Sequence, residues 1–232
     1  GKTYHFGRVF PLCHIKHSEL PPEFHDYKGH VVFGGNQVRD ENGILLLFQE
    51  QGASASSMVA AKLLDALARI PEYDGENSDA QKAYTQALLA DFEEDTETWV
   101  ELPRERWPDA WFHDGSKRQN PKYTRPVVRL LRNLYGHPLA GLWWEKHCHN
   151  QIIKCGWTRV QGWECLYVHP KKKAWLSVYV DDLKMAGRKA DLKQLWEDLQ
   201  KHLELDPPTQ FHKSVYLGCQ QEDFQPTQED LD

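Results

Sequence analysis

The chain has 232 residues, 40% hydrophobic and 12% aromatic, with 28 lysines and arginines against 34 aspartates and glutamates for a net charge of −6. That composition suits a sizeable apolar core in one large domain or two small subdomains, and it argues against a disordered chain. No apolar run approaches the roughly 20 residues of a membrane-spanning helix, the opening GKTYHFGRVF lacks a signal-peptide core, and five scattered cysteines point to reduced thiols in an intracellular setting.

In chain order, residues 1–26 are rich in His and Pro, show no period, and read as an N-terminal extension. Cys13, His14 and His17 have a spacing zinc can use, but no second ligand pair follows, so a zinc module is the weakest reading. Between Tyr27 and Phe48 the pattern predicts two strands, Val31-Val32-Phe33 and Ile44 to Phe48, around a turn at Arg39 to Gly43. Ala53 to Ile70 is a predicted helix, with Met58, Ala61, Leu64 and Ala68 on one stripe, serines 54, 56 and 57 as caps, and Pro71 as its stop. Glu72 to Ser78 reads as a loop into Asp79, and Ala83 to Ala90 as a helix.

Trp99 to Leu102 reads as a short strand ended by Pro103. Residues 104–126 form an irregular excursion whose Trp107 and Trp111 suit either burial or stacking on bases. Val127 to Tyr135 is expected to be a helix closed by Gly136, and Pro138 to start another that runs to about Gly156. His147, Cys148, His149 and Cys155 read as ordinary surface and core residues, because positions 147 and 149 face different sides of a helix. Trp163 to His169 and Ala174 to Val180 are expected strands around a Lys171-Lys172-Lys173 turn. An amphipathic helix from Asp191 to Leu203 follows, and residues 221–232 form a polar tail.

Charge is uneven. Glu72 to Asp114 is strongly acidic, whereas Lys117, Arg118, Lys122, Arg125, Arg129 and Arg132 fall in a stretch without an acid. Such a patch can track a phosphate backbone even on an acidic protein; for the lysine triplet, solvated surface charge is an equal reading.

The chemistry centres on AWLSVYVDDLKMAG, residues 174–187, where two apolar runs flank two aspartates. Asp181-Asp182 reads as the two-residue tip of a β-hairpin. Adjacent carboxylates repel, and a solvated turn or a divalent cation relieves that repulsion; oxygen-only ligands suit Mg²⁺. Asp79 supplies a third carboxylate, with Tyr84 five positions later.

Three segments in order, SDAQKAYTQALLADFEEDTETWVELP, LLRNLYGHPLAGLWWEKH and LSVYVDDLKMAG, resemble the aspartate-helix, Leu-Tyr-Gly and catalytic-hairpin segments of copia-type retrotransposon reverse transcriptases. The resemblance spans roughly Tyr27 to Gln220. It implies an α+β fold over residues 27–220, with a reverse-transcriptase-like palm and fingers and an antiparallel sheet whose helices pack on one face. It further implies an RNA-directed DNA polymerase using two-metal nucleotidyl transfer, with Asp79, Asp181 and Asp182 as catalytic residues and ligands of two Mg²⁺ ions. Tyr84, Lys28, Arg39 and Tyr179 would contact the incoming nucleotide, the Tyr84 ring standing where the family carries Phe to exclude a ribose 2′-hydroxyl. The implied partners are an RNA template, a DNA primer, deoxynucleoside triphosphates and the rest of a Pol polyprotein with its integrase and ribonuclease H, with no membrane; the implied setting is a cytoplasmic particle or the nucleus. The residues given leave no room for a ribonuclease H domain and little for a thumb.

The sequence also departs from that family. His30 stands where a basic residue is usual, and Phe33-Gly34-Gly35 replaces a lysine-containing version. After Leu-Tyr-Gly the family has a Lys-Gln pair and an Arg; His137 to Leu142 contains none of these, and Leu139 has no side-chain hydrogen-bonding group. The competing expectation is therefore a palm-fold remnant that binds nucleic acid or a protein without polymerising.

Overall fold

The computed structural model describes residues 1–48 and 55–222; the expected helix start at Ala53 and Ser54 and most of the expected tail lie outside the described residues. In chain order the elements are β1 (Thr3–Lys16), β2 (Asp26–Phe33), α1 (Met58–Leu67), β3 (Tyr73–Asp79) and a single helical turn, α2 (Ala83–Gln86). Then come β4 (Thr96–Glu101), β5 (Val127–Arg129), α3 (Ala140–Lys154), β6 (Thr158–Arg159), β7 (Leu166–His169), β8 (Ala174–Tyr179) and β9 (Asp182–Arg188). The chain continues through α4 (Lys189–Gln200), β10 (Thr209–Gln210), β11 (Val215–Tyr216) and β12 (Cys219–Gln220). Two compact units result, Gly1–Gln51 with Tyr84–Trp143, and Gly52–Ala83 with Trp144–Asp232. The secondary structure is thus α+β, as expected.

The first unit is built on a four-stranded sheet ordered β2-β1-β4-β5. The first half of β1 runs parallel to β4, from Thr3 opposite Thr96 to Arg8 opposite Glu101. Its second half pairs antiparallel with β2, from Val9 opposite Phe33 to Lys16 opposite Asp26. Residues 1–26 are therefore no extension, and the expected boundary at residue 27 falls inside a sheet. Beyond Arg8 these ladders give β1 a partner on one side alone, which leaves room for Pro11. A small core of Val9, Phe33, Val38 and Val100 holds the unit together.

Two further expectations change here. Ile44 to Phe48 is not the partner of β2; Leu45 makes a single bridge to Arg39. Val127 to Tyr135 is not a helix: Val127 to Arg129 pair with β4, and the Leu130 and Leu89 N–H groups donate to Thr98 and Leu131 carbonyls at 2.8 and 3.0 Å. Tertiary strand pairing outweighs the local helical pattern, as β-branched Val127 and Val128 allow. Gly136 ends no helix either. Its φ is +87°, and a Cβ there would lie 2.2 Å from the Phe33 carbonyl oxygen, so the glycine of Leu-Tyr-Gly is required by close backbone approach.

The second unit is a six-stranded sheet ordered β10-β3-β9-β8-β7-β6, antiparallel at every pair. Tyr73 to Ser78, expected as loop, forms nearly all of β3, an interior strand made of polar residues and glycine whose hydrogen bonds come from β9 and β10. On one face Leu166 and Ala186 pack against Ala60 and Leu64 of α1. On the other, α4 packs along β3 and β9, and His149 of α3 meets the Tyr167 hydroxyl at 3.3 Å. Helices thus cover both faces, correcting the one-sided layer. The reason lies in β8 and β9: Leu176, Ser177 and Val178, and Leu183 to Ala186, are buried consecutively, and a strand buried on both sides needs two covering layers.

The helices of this unit follow their sequence signals. Ser57 caps α1 by accepting the Ala60 N–H at 3.2 Å. Helix α4 buries Leu192, Leu195, Trp196 and Leu199 on one stripe. Between α1 and β9, Lys184 is almost wholly buried, 2.7 Å from Asp65 and lying over the Phe211 and Tyr216 rings at 3.7 and 4.6 Å. Leu64 is fully buried in the α1 face, so Leu64→Ala is expected to cost about 2–5 kcal/mol of unfolding free energy. An unchanged urea midpoint would contradict this account of the core.

Candidate functional site

Strand register builds the site. Asp79 ends β3 opposite Asp182, the first residue of β9, and Asp182 in turn lies opposite Tyr179 at the end of β8. The connecting turn is therefore Val180-Asp181, one residue earlier than the expected Asp181-Asp182 tip. The Ala80 N–H donates to the Asp181 carbonyl at 2.7 Å, tying the strand end to that turn. On its other side the Asp206 N–H donates to the Asp79 carbonyl at 2.8 Å and the Gln81 N–H to the Glu204 carbonyl at 2.9 Å. The backbone from Asp79 to Gln81 is thus clamped between two segments.

The turn is also held from behind. The Trp144 indole N–H of α3 donates to the Val180 carbonyl at 2.5 Å. Val180 has φ +56°, a left-handed conformation that disfavours a β-branched residue. A strained residue persists where its surroundings over-determine it, and such positions cluster at functional sites.

The electrostatics are those of crowded acids. The Asp182 carboxyl is pushed up to about 6, first by burial and then by the negative charges of Asp79 and Asp181. Among the described residues no lysine or arginine pairs with any of the three. The donor set is oxygen only, which fits a hard divalent cation. Among the described residues no three His, Cys, Asp or Glu side chains are grouped so as to hold a metal ion by themselves.

The expected nucleotide contacts fall in two groups. Tyr179 accompanies the aspartates in the second unit. Tyr84, Lys28 and Arg39 belong to the first, where the Tyr84 ring lies 4.3 Å from that of Tyr135. Lys28 is exposed opposite His14, whereas Arg39 bridges Phe6 and donates to the Gly43 carbonyl at 2.7 Å. Eight residues of strand, roughly 25 Å, separate those positions, so Lys28 and Arg39 do not converge on one phosphate group. Arg39 instead shares a cleft of about 470 Å³ with Arg8, Gln37, Glu101 and Arg125.

The basic stretch is largely consumed by the fold. Arg118 donates to the carbonyls of Arg104, Glu105 and Trp107, and Lys122 to that of Ala110. Arg125 and Arg129 pair with Glu101 and Glu97, and Arg132 donates to the Thr85 carbonyl. Trp107 is buried and bonds the Leu102 carbonyl, while Trp111 packs between Trp107 and Tyr123. These residues stitch the excursion together rather than forming a free phosphate track. The segment that lacks the Lys-Gln pair is apolar: His137 stacks 4.5 Å from Trp143 and 4.8 Å from Phe33, and burial holds it at about 3, hence neutral.

Two site residues carry no signal in the sequence. Trp144 reads as one more core aromatic, and Asp206 sits in a connector before two prolines; only the fold brings either to the carboxylates. Neither a protein family nor a curated protein matches the chain.

Because the Asp182 pKa is raised on folding, the native state binds the proton more tightly than the unfolded chain, and stability falls as pH rises from about 4 through about 6. Asp182→Asn is therefore expected to melt higher than the parent at pH near 8 and equal to it near pH 4. Equal melting temperatures at both would disprove the crowding. Val180→Gly, which relieves the positive φ, is expected to stabilise by about 1 kcal/mol in urea unfolding.

Proposed function

We propose that this chain is the polymerase domain of a copia-type reverse transcriptase, which extends a DNA primer on an RNA template by nucleotidyl transfer. In this reading the second unit is the palm and the first the fingers, and the domain works within a Pol polyprotein, in a cytoplasmic particle or the nucleus. The observation that carries the proposal is the register of Asp79 against Asp182 with Asp181 in the intervening turn. Its support is the ordered trio of sequence segments in which those residues occur.

Asp79, Asp181 and Asp182 would hold the Mg²⁺ ions. Bound there, two ions would lower the pKa of the primer 3′-hydroxyl and neutralise charge on the triphosphate and its leaving group. The chain's own contribution is placement. The clamp on Asp79 to Gln81 and the Trp144 bond to Val180 fix the carboxylates before substrate arrives, so little reorganisation remains. Asp182 is ionised above about pH 6 and so is ready for a cation at neutral pH. The Tyr84 ring would bar a 2′-hydroxyl, selecting deoxynucleotides.

The apolar His137 stack favours a second reading, a remnant that binds nucleic acid or a protein partner without polymerising. Primer extension on an RNA template with deoxynucleotides and Mg²⁺ separates the two. The polymerase reading expects extension by the parent protein and a loss of more than a hundredfold in Asp181→Asn with the melting temperature retained. Folded protein that binds primer-template without extending it would favour the remnant. In the active protein, Tyr84→Ala is expected to raise ribonucleotide incorporation at least tenfold in the same assay.

A further inference from the structure

We infer that Asp206 is a positioning residue for the divalent cation of this site, holding the ion's water shell; the inference rests on the polymerase reading for the identity of that cation. A cleft of about 200 Å³ is lined by Asn77, Asp79, Asp182, Asp206, Ser214 and Tyr216 among others, and among the described residues no Lys, Arg or His lines it. Three carboxylates therefore face one small space without a compensating charge. Elsewhere Glu97, Glu101, Asp191 and Asp198 each sit against a lysine or arginine. The contrast marks a place that is electrostatically incomplete.

A second observation points the same way. Asn77 is 7% exposed, and its Oδ1 has no hydrogen-bond partner among the described residues. Its Nδ2 donates to Ser214 Oγ at 2.7 Å, which fixes the amide and leaves the oxygen as an acceptor awaiting a donor. Asp206 is equally fixed. Gln81 Nε2 donates to its Oδ1 at 2.6 Å, its N–H donates to the Asp79 carbonyl, and Ser78 Oγ donates to its carbonyl at 2.7 Å.

The carboxylates and Asn77 Oδ1 on this wall are oxygen acceptors, and the Tyr216 hydroxyl beside them, which both accepts and donates, is unpartnered among the described residues as well; that set suits a hard cation and the water around it. A hard ion such as Mg²⁺ seated against the two carboxylates of Asp79 and Asp182 keeps several of its waters. Those waters are strong donors, and the Asp206 carboxylate, fixed by Gln81 on the cleft wall, is the acceptor preset to receive them. Partners of this outer kind commonly change metal affinity by 10- to 100-fold.

The test is Mn²⁺ binding, read from the resonance signal of the free ion near pH 8, for the parent protein, Asp206→Asn and Asp182→Asn. The asparagine keeps an acceptor for Gln81, so the ion-free melting temperature should hold while affinity falls about tenfold. Parent-like affinity in Asp206→Asn with weakened binding in Asp182→Asn overturns the role of Asp206 and leaves the carboxylate site standing. Absence of Mn²⁺ binding by the parent overturns both. If Asp206→Asn does not fold, Gln81→Met keeps the carboxylate but frees it; a several-fold loss is then expected, and unchanged affinity overturns the inference.

Discussion

The repulsion among Asp79, Asp181 and Asp182 is the constraint on which the second unit depends. Acids brought this close lower stability unless something holds them, and here the holding is done by backbone. Asp79 to Gln81 bonds to the hairpin turn on one side and to residues 204–206 on the other, so the acids cannot relax apart without breaking a sheet. The cost appears in two observables: the raised Asp182 carboxyl and the left-handed Val180. Both are costs that persist because the surrounding backbone bonds over-determine the turn.

The scaffold around these residues follows from the same need. A hairpin that must not move is best buried on both faces, and β8 and β9 are. Helix α1 covers one face through Ala60 and Leu64, while α3 and α4 cover the other. Lys184 shows how far this goes: a lysine two positions after Asp182 is kept in the interior because Asp65 and two aromatic rings together replace its water.

Much of the second unit was legible in the sequence because its signals are local. Helices α1 and α4 announce themselves by apolar spacing and, for α1, a serine cap; β8 and β9 by apolar runs around two acids. The failures share a cause. Strand β3 is polar and exists because β9 and β10 supply its hydrogen bonds, so no window of its own residues reveals it. Strand β1 contains Pro11 and several histidines, and its partners lie downstream. Val127 to Tyr135 carries leucines at helical spacing, yet β4 takes Val127 to Arg129 into a sheet. In the site, the resemblance carried by three ordered segments singled out Asp79, Asp181 and Asp182, whereas Asp206 and Trp144 reach that turn through long-range contact alone. Arginines 118, 125, 129 and 132 read as a charged surface because sequence does not show which carbonyls and acids their guanidinium groups meet.

The interleaving of the two units has a consequence for how the protein is made. The first unit has all its segments once Trp143 has left the ribosome. The second begins earlier, with α1 and β3, but β3 has no ladder until β9 is synthesised and its outer partner β10 only after that. For roughly half the length of the chain, the apolar stripe of α1 must wait uncovered while another domain folds around the intervening residues. Non-local strand pairing of this kind folds slowly and exposes apolar surface meanwhile, so recovery of native protein should depend on translation pace and chaperone supply more than on the final stability of either unit.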